Sequence, residues 1–505
     1  MFKNKELYLM FFFFFLILFV TMAPNIGGDA GLSYQVAKNL LSKGDILLDN
    51  NKYCGYGLFL SVWLVPFYLL GSFLAKIFSN GILINIFVGL ANTFIISFLG
   101  VYFYYFLRHF NLKKITRFYS ACFFIFSSML WNYNSVTFTE QITCLLAMII
   151  FDYLFVYKQT GEIKNVLWAG LALGLSIHVK FSAYILLFVP FFLYLILIMR
   201  EKKKIDLRVL ILFFMPYLVS VLLNLYLNYY KFCEWKMSYS VEPDFFWTAD
   251  GVFGQLFSSG KGLLFYNLPL IIALFYFRKL WIEFKKEFIC TVVMFVAFLF
   301  INSCVSYWHA GAGWGPRYIM PVLPFLFIPF AFFMESILGL GNRLLKIIVI
   351  CFFVFCSVVQ FNGFVFSFTK WATILDKEEI NEYYMYFLPR YSPLFGTNYL
   401  AYSYINKLRT NSYPVLNLKC YYDKKIDLNK YSELIKPGLW IYKIISGDFV
   451  EKNSDKIVFS KNIKLKIFGI FIFCFCLFFA GFIFNKLRRE LRESPIASNI
   501  SNRLV

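Results

Sequence analysis

The sequence predicts an all-α polytopic membrane protein of about 12 transmembrane helices plus a juxtamembrane segment, with a small extracytoplasmic α/β domain. Three observations carry this. Of 505 residues, 60% are hydrophobic, including 67 Phe and 35 Tyr, and the mean hydropathy is +0.66. Only 15% are charged, against the roughly 25% usual in soluble domains. The apolar residues also fall into long runs, and about 20 of them suffice to span a bilayer. A water-soluble fold cannot hide so much apolar surface, which excludes a soluble enzyme or a disordered scaffold. The net charge of +21 does not restore a nucleic-acid partner. The Lys and Arg fall between apolar runs and in one polar segment, not on a basic face.

The first run, 7–24, follows Lys3 and Lys5 and lacks a small-residue cleavage pattern, so it reads as a retained anchor. Further spans are expected at 82–107, 117–133, 140–157, 165–180, 182–199, 207–228, 262–277, 288–305, 317–335, 345–366 and 464–484. A further apolar run, 57–78, is interrupted by Pro66 and carries Lys76. Basic clusters at Arg108–Arg117, Arg200–Arg208, Arg278–Lys286 and Lys486–Arg492 fall in loops that alternation places on one side, and short basic loops are cytoplasmic. Both termini are then cytoplasmic, in a plasma (inner) membrane, and the Lys-, Asn-, Ile- and Phe-heavy composition suits a bacterial source. If 57–78 crosses, the N-terminus is outside and 25–56 are cytoplasmic; Lys3 and Lys5 favour the other arrangement, a cytoplasmic N-terminus with 25–81 as an extracytoplasmic first loop and 57–78 lying beside the membrane body. Residues 1–366 form that body, 367–463 an extracytoplasmic domain, and 464–505 a last span with a basic tail. Short alternating runs such as Lys456–Phe459 suggest a mixed α/β cap.

The eleven Cys make no framework. Eight lie in or beside apolar runs, where a thiol behaves as a small hydrophobe. Spacing gives no support to a disulfide among Cys54, Cys233 and Cys420, and no CxxC or His/Cys cluster suggests a metal.

In "GGDAGLSYQVAKNLLSKGD" (27–45), Leu32, Val36 and Leu40 recur every four residues before Gly44. This is an amphipathic helix with Asp29 just before its first turn. An Asp there is an ordinary N-cap, and it is equally a carboxylate at the water–lipid boundary able to act as a general base. Other polar groups gather at the same predicted face: Glu140 opening the fourth span, His178 and Lys180 ending the fifth, Lys261 entering the eighth, and His309, Trp314 and Arg317 where the tenth begins. Each cation taken alone can snorkel to the headgroups. Together they line one outer face, and ionisable residues near a membrane interior mark functional sites. The Gly-rich runs 27–28 and 311–315 lack a P-loop Lys-Ser/Thr, and there is no DxD pair, so neither a nucleotide nor a metal-bound nucleotide sugar finds a motif.

The segments "GDAGLSYQVAKNLLSKGD", "LFSSGKGLLFYNLP" and "GWGPRYIMPVLPFLFIPFA" resemble the GT-C superfamily of membrane glycosyltransferases. The likeness is to polyprenyl- or dolichyl-phosphate-sugar dependent enzymes of the mannosyltransferase and aminoarabinose transferase kind, and in layout it covers most of 1–335. The resemblance implies Asp29 as catalytic base, with Lys180 and Arg317 against the donor phosphate. It further implies a substrate site to which Tyr34, Glu140, His178, Lys261, His309 and Trp314 contribute. Many relatives carry a second acid directly after the first; here it is Ala30, which leaves Asp29 to act alone or with Glu140. The implied reaction is inverting transfer from a polyprenyl-phosphate sugar to a hydroxyl on a glycan, lipid or protein acceptor, with no cofactor, and a metal neither required nor excluded. Two alternatives stay open. A cell-envelope polysaccharide polymerase or ligase would rely on Arg317, His309 or Arg390, and a transporter would use acids such as Asp152 within the membrane.

Overall fold

Inside a bilayer each backbone N–H and C=O must be satisfied by the protein itself, so spanning apolar runs become helices. The computed structural model describes residues 5–23, 28–135, 138–180, 186–203, 205–235, 247–311, 313–419, 423–432, 434–440, 442 and 463–493. In chain order the helices begin with α1 (Lys5–Val20), α2 (Gly28–Lys43), α3 (Leu58–Phe78) and α4 (Ile82–Phe106). They continue through α5 (Lys114–Phe126), α6 (Met129–Asn132), α7 (Thr139–Thr160), α8 (Ile163–Val179), α9 (Phe188–Glu201) and α10 (Leu207–Phe232). After these come α11 (Ala249–Phe257), α12 (Leu263–Tyr266), α13 (Pro269–Glu283), α14 (Lys285–Ser303), α15 (Leu323–Leu326), α16 (Ile328–Gly339) and α17 (Arg343–Val365). The polar segment supplies α18 (Phe368–Lys377), α19 (Glu382–Phe387) and α20 (Pro393–Thr410), and α21 (Ile463–Glu493) closes the described chain.

Seven of the described helices, α3, α4, α7, α10, α14, α17 and α21, are long and apolar enough to cross a membrane. A stretch bent by 42° near Phe327 makes an eighth. The chain is a multi-pass membrane protein. The expected runs do fall on helices, but several are shorter or broken where Pro interrupts the backbone ladder. The eighth run splits into α12 and α13 ahead of Pro269, and the tenth starts as a 3-10 turn containing Pro321. Large apolar side chains left exposed on α10 and α17, such as Phe214, Leu222, Ile347 and Phe355, form the surface a bilayer would cover. Between helices the core is aromatic, with Phe103 on Phe124 at 4.4 Å and Phe151 stacked on Tyr194 at 4.9 Å.

Ion pairs separate the two ends of the helical body. At one end Lys114 meets Glu6 at 2.6 Å, His109 meets Asp152 at 2.5 Å, and Lys158 meets Glu287 at 2.7 Å. These residues begin α1, end α4 and α7, and begin α5 and α14. Asp152, the acid a transporter reading would use, is thus enclosed by Tyr102, Arg108 and His109. At the opposite end lie the start of α7 and the finish of α8 and α10.

The 57–78 run is a continuous helix despite Pro66. It turns back at Ser79 onto α4, with Trp63 Nε1 donating to Ala91 O at 3.3 Å and Gly71 against Ile84. Its first residues therefore reach only the middle of α4. The preceding Gly57 sits on the backbone of His178, where a Cβ would come within 2.0 Å of the carbonyl oxygen. Residues 54–57 thus share the end of the body at which α8 finishes.

The polar segment contains both helices and strands, as a mixed α/β cap would. Among the described residues it is three helices and one antiparallel hairpin, β1 (Val415–Lys419) with β2 (Asp423–Asp427), Leu416 opposite Ile426. The expected strand at 456–459 lies outside the described residues. The segment caps the body through Trp371 Nε1, which donates to Tyr391 O at 2.8 Å, and through Gly260 N, which donates to Tyr386 O at 2.9 Å.

Candidate active site

Glu140 is the second residue of α7 and is 3% exposed. Lys180 follows the last turn of α8 in extended conformation, which carries its side chain back toward α7. Its Nζ donates to Glu140 Oε1 at 2.8 Å. Arg317 arrives from the other direction. The loop before it turns at Gly315, whose φ of +65° and close approach to the Tyr266 ring suit a residue without Cβ. Pro316 then leads into the 3-10 turn Arg317–Val322, and Arg317 Nε comes within 3.4 Å of the same Glu140 oxygen. Both cations rest on aromatic faces: Lys180 is 4.2 Å from the Tyr318 ring centre, and Arg317 is 4.2 Å from that of Phe138. One carboxylate thus serves two cations. Beside it opens a small cleft lined by Thr143, Lys180, Phe298, Asn302 and Tyr318.

Lys261 stands next to this cluster and is fully buried. Its Nζ donates to Gly311 O at 2.5 Å and Gly313 O at 2.8 Å, so it clasps the loop that delivers Arg317. Burial, and then the charge of Arg317, hold its pKa well below the ordinary lysine value, while Glu382 opposes them. His309 stacks on Tyr386 at 4.4 Å and lies 3.9 Å from Glu382. Burial, helped by Lys261, lowers its pKa to about 4, so the ring is neutral at pH 7. Trp314 is wholly buried behind the loop, its Nε1 donating to Gln360 Oε1 at 2.8 Å and its carbonyl accepting from Tyr133. Its place is in the packing that backs the site.

The structure brings Glu140, Lys180 and Arg317 together, with Lys261 and His309 adjoining. His178 points elsewhere, into a cavity shared with α10. Tyr34 packs edge-on against Tyr68 at 5.8 Å and is half-buried, which raises its pKa to about 12. Helix α2 begins at Gly28, so Asp29 stands inside the first turn rather than before it as the N-cap reading had it; helix ends inferred from pattern shift by a residue or two. The side chain of Asp29 lies outside the described residues. Its helix is placed securely: Val36 packs with Leu48 and Cys54, and Lys231 Nζ donates to Cys54 O and Tyr56 O, each at 3.3 Å. This unit occupies the end of the body that holds Lys180.

Sequence reasoning missed Phe138 and Tyr318, the aromatic faces, and Glu382 and Tyr386, which the polar segment brings in. Tyr318 had a signal in its position next to Arg317. The others had none, because they become neighbours only through packing.

No family model matches the sequence, and no curated protein matches it. Among solved structures the chain is similar to ArnT from Cupriavidus metallidurans, in a crystal structure bound to undecaprenyl phosphate. The match has a TM-score of 0.44 and 15% identity, covering 76% of this chain and 74% of that one.

Proposed function

We propose that the chain is a GT-C-type membrane glycosyltransferase that moves a sugar from a polyprenyl-phosphate carrier to an acceptor hydroxyl. The observation that carries this reading is the buried Glu140 carboxylate holding Lys180 and Arg317 side by side, at the end of the body where the helix of Asp29 is fixed.

The chemistry follows from charge. When the acceptor oxygen attacks the anomeric carbon, the bond from that carbon to the phosphate oxygen breaks, and the electron pair leaves with the polyprenyl phosphate. The growing negative charge needs preorganised cations more than it needs a proton donor. Lys180 and Arg317 fill that role, held side by side by Glu140. Glu140 is committed to both cations, so it orients them rather than acting as a second base. Asp29 then takes the acceptor proton, and one base without a protein nucleophile gives inversion at the anomeric carbon. This arrangement asks no metal to supply the positive charge.

The test is transfer by the purified, membrane-reconstituted chain from a panel of labelled polyprenyl-phosphate sugars, with product stereochemistry read by NMR. Transfer with inversion, lost on Asp29→Asn and on Lys180→Gln and unchanged by chelators, is the expected result. Transfer that survives Asp29→Asn in full but fails with Arg317→Gln would overturn the assigned base and favour an Arg-dependent polymerase or ligase.

A further inference from the structure

A second, small cavity open to the surface lies on the other side of the α8 end from the Lys180 cluster. It is lined by Gly55, Tyr56 and His178 together with Asn224, Asn228 and Lys231 of α10. Lys231 is only 8% exposed, and its ammonium has two backbone carbonyls for company at 3.3 Å. Among the described residues no carboxylate pairs with it. Removing a charge from water without a counter-ion is costly, so the cavity favours an anion. Asn224 and Asn228 are also nearly buried, 8% and 7% exposed, and add polar groups to the same wall.

The surroundings specify the kind of anion. The last turns of α10 and the residues just beyond expose Tyr226, Tyr229, Tyr230 and Trp235, with Tyr229 stacked on Trp235 at 4.7 Å and Tyr53 beside Tyr230. Such aromatic girdles sit at the headgroup level of a membrane. Further along α10, Leu222, Val219 and Met215 are exposed, a surface for acyl chains. We infer that this cavity binds the phosphate of an anionic lipid headgroup, with Lys231 as its cation and the acyl chains lying along α10. The site is separate from the one that acts on the donor. His178 faces α10, while Lys180 reaches Glu140 on α7.

The test uses the full chain in mixed-lipid nanodiscs and does not depend on transfer activity. Phosphatidylglycerol and phosphatidylcholine of identical acyl chains compete for retention, read by native mass spectrometry after release. A photoreactive phosphatidylglycerol maps its contacts on the unmodified protein. Retention should favour phosphatidylglycerol. Lys231→Gln should cut that preference by about tenfold, the factor carried by one charge-assisted contact, with Lys231→Arg restoring it and Lys180→Gln leaving it intact. Cross-links should fall on 54–58, 177–178 or 224–231. Equal retention by the wild type and Lys231→Gln, cross-links confined to other segments, or displacement of the lipid by millimolar inorganic phosphate would each overturn the assignment. The cross-linking arm decides the matter even if the variants do not fold.

Discussion

Lys180 donates to Glu140 at 2.8 Å from forty residues away in sequence, joining the finish of α8 to the start of α7, and Arg317 adds its charge to the same oxygen. This three-residue cluster clamps α7, α8 and the Arg317 turn together, and the roles proposed for its members separate under mutation.

Replacing Glu140 with Ala leaves two nearly buried cations facing each other. Breaking a buried pair in this way typically costs about 3–5 kcal/mol. The variant should unfold at markedly lower temperature in a detergent melt. The double variant Glu140→Gln with Lys180→Gln should recover part of that loss, as expected for coupled residues, while staying inactive.

Asp29→Asn should lower transfer by about 10²–10⁴-fold, the usual worth of a general base. The melting temperature should be unchanged. A marked drop in stability alongside the lost activity would mark Asp29 as a structural residue instead.

Lys261→Met removes the donor to the Gly311 and Gly313 carbonyls. Unsatisfied buried carbonyls cost about 1–3 kcal/mol. Hydrogen exchange over 309–319 should accelerate by about tenfold or more, with helices α7 and α8 protected as before.

His309 ties stability to pH. Its pKa is about 4 in the folded chain against 6.5 as the reference, so between those values the unfolded chain binds the extra proton. Stability is then full above about pH 6.5, falls as the pH drops toward 4, and levels off below it. His309→Gln should flatten that part of the curve in melts taken between pH 4 and 7.

Gly57→Ala should destabilise the first loop, because the new Cβ would meet the His178 carbonyl oxygen at 2.0 Å. Overpacking of this kind costs roughly 1–3 kcal/mol. Limited proteolysis at 44–57 reads it directly.

Much of the fold is legible in the chain because a bilayer leaves apolar backbone little choice but the helix. The runs at 82–107, 140–157 and 207–228 appear as α4, α7 and α10, and the basic clusters fall together at one end of the body. The site was partly legible for the same reason: a charge bordered by apolar residues, such as Lys180 or Arg317, has few explanations. The partner of each charge was not legible. Glu140 meets Lys180 through the antiparallel packing of α7 and α8, and Arg317 joins them only because the Gly315 turn aims it there.

Lys231 shows the boundary most sharply. In sequence it is one basic residue near the end of an apolar run, equivalent to any lysine that snorkels. In the fold it is buried between Cys54 and Tyr56. The sequence by itself determined the membrane class, the helical elements and the short set of ionisable residues worth attention, since hydropathy and charge spacing are local properties of the chain. Which of those residues face one another, how α3 turns back on α4, and where Lys231 and His178 open a second cavity were decided by tertiary packing alone. Contacts between helices depend on crossing geometry and side-chain volume summed over many residues, and no local stretch of sequence carries that information.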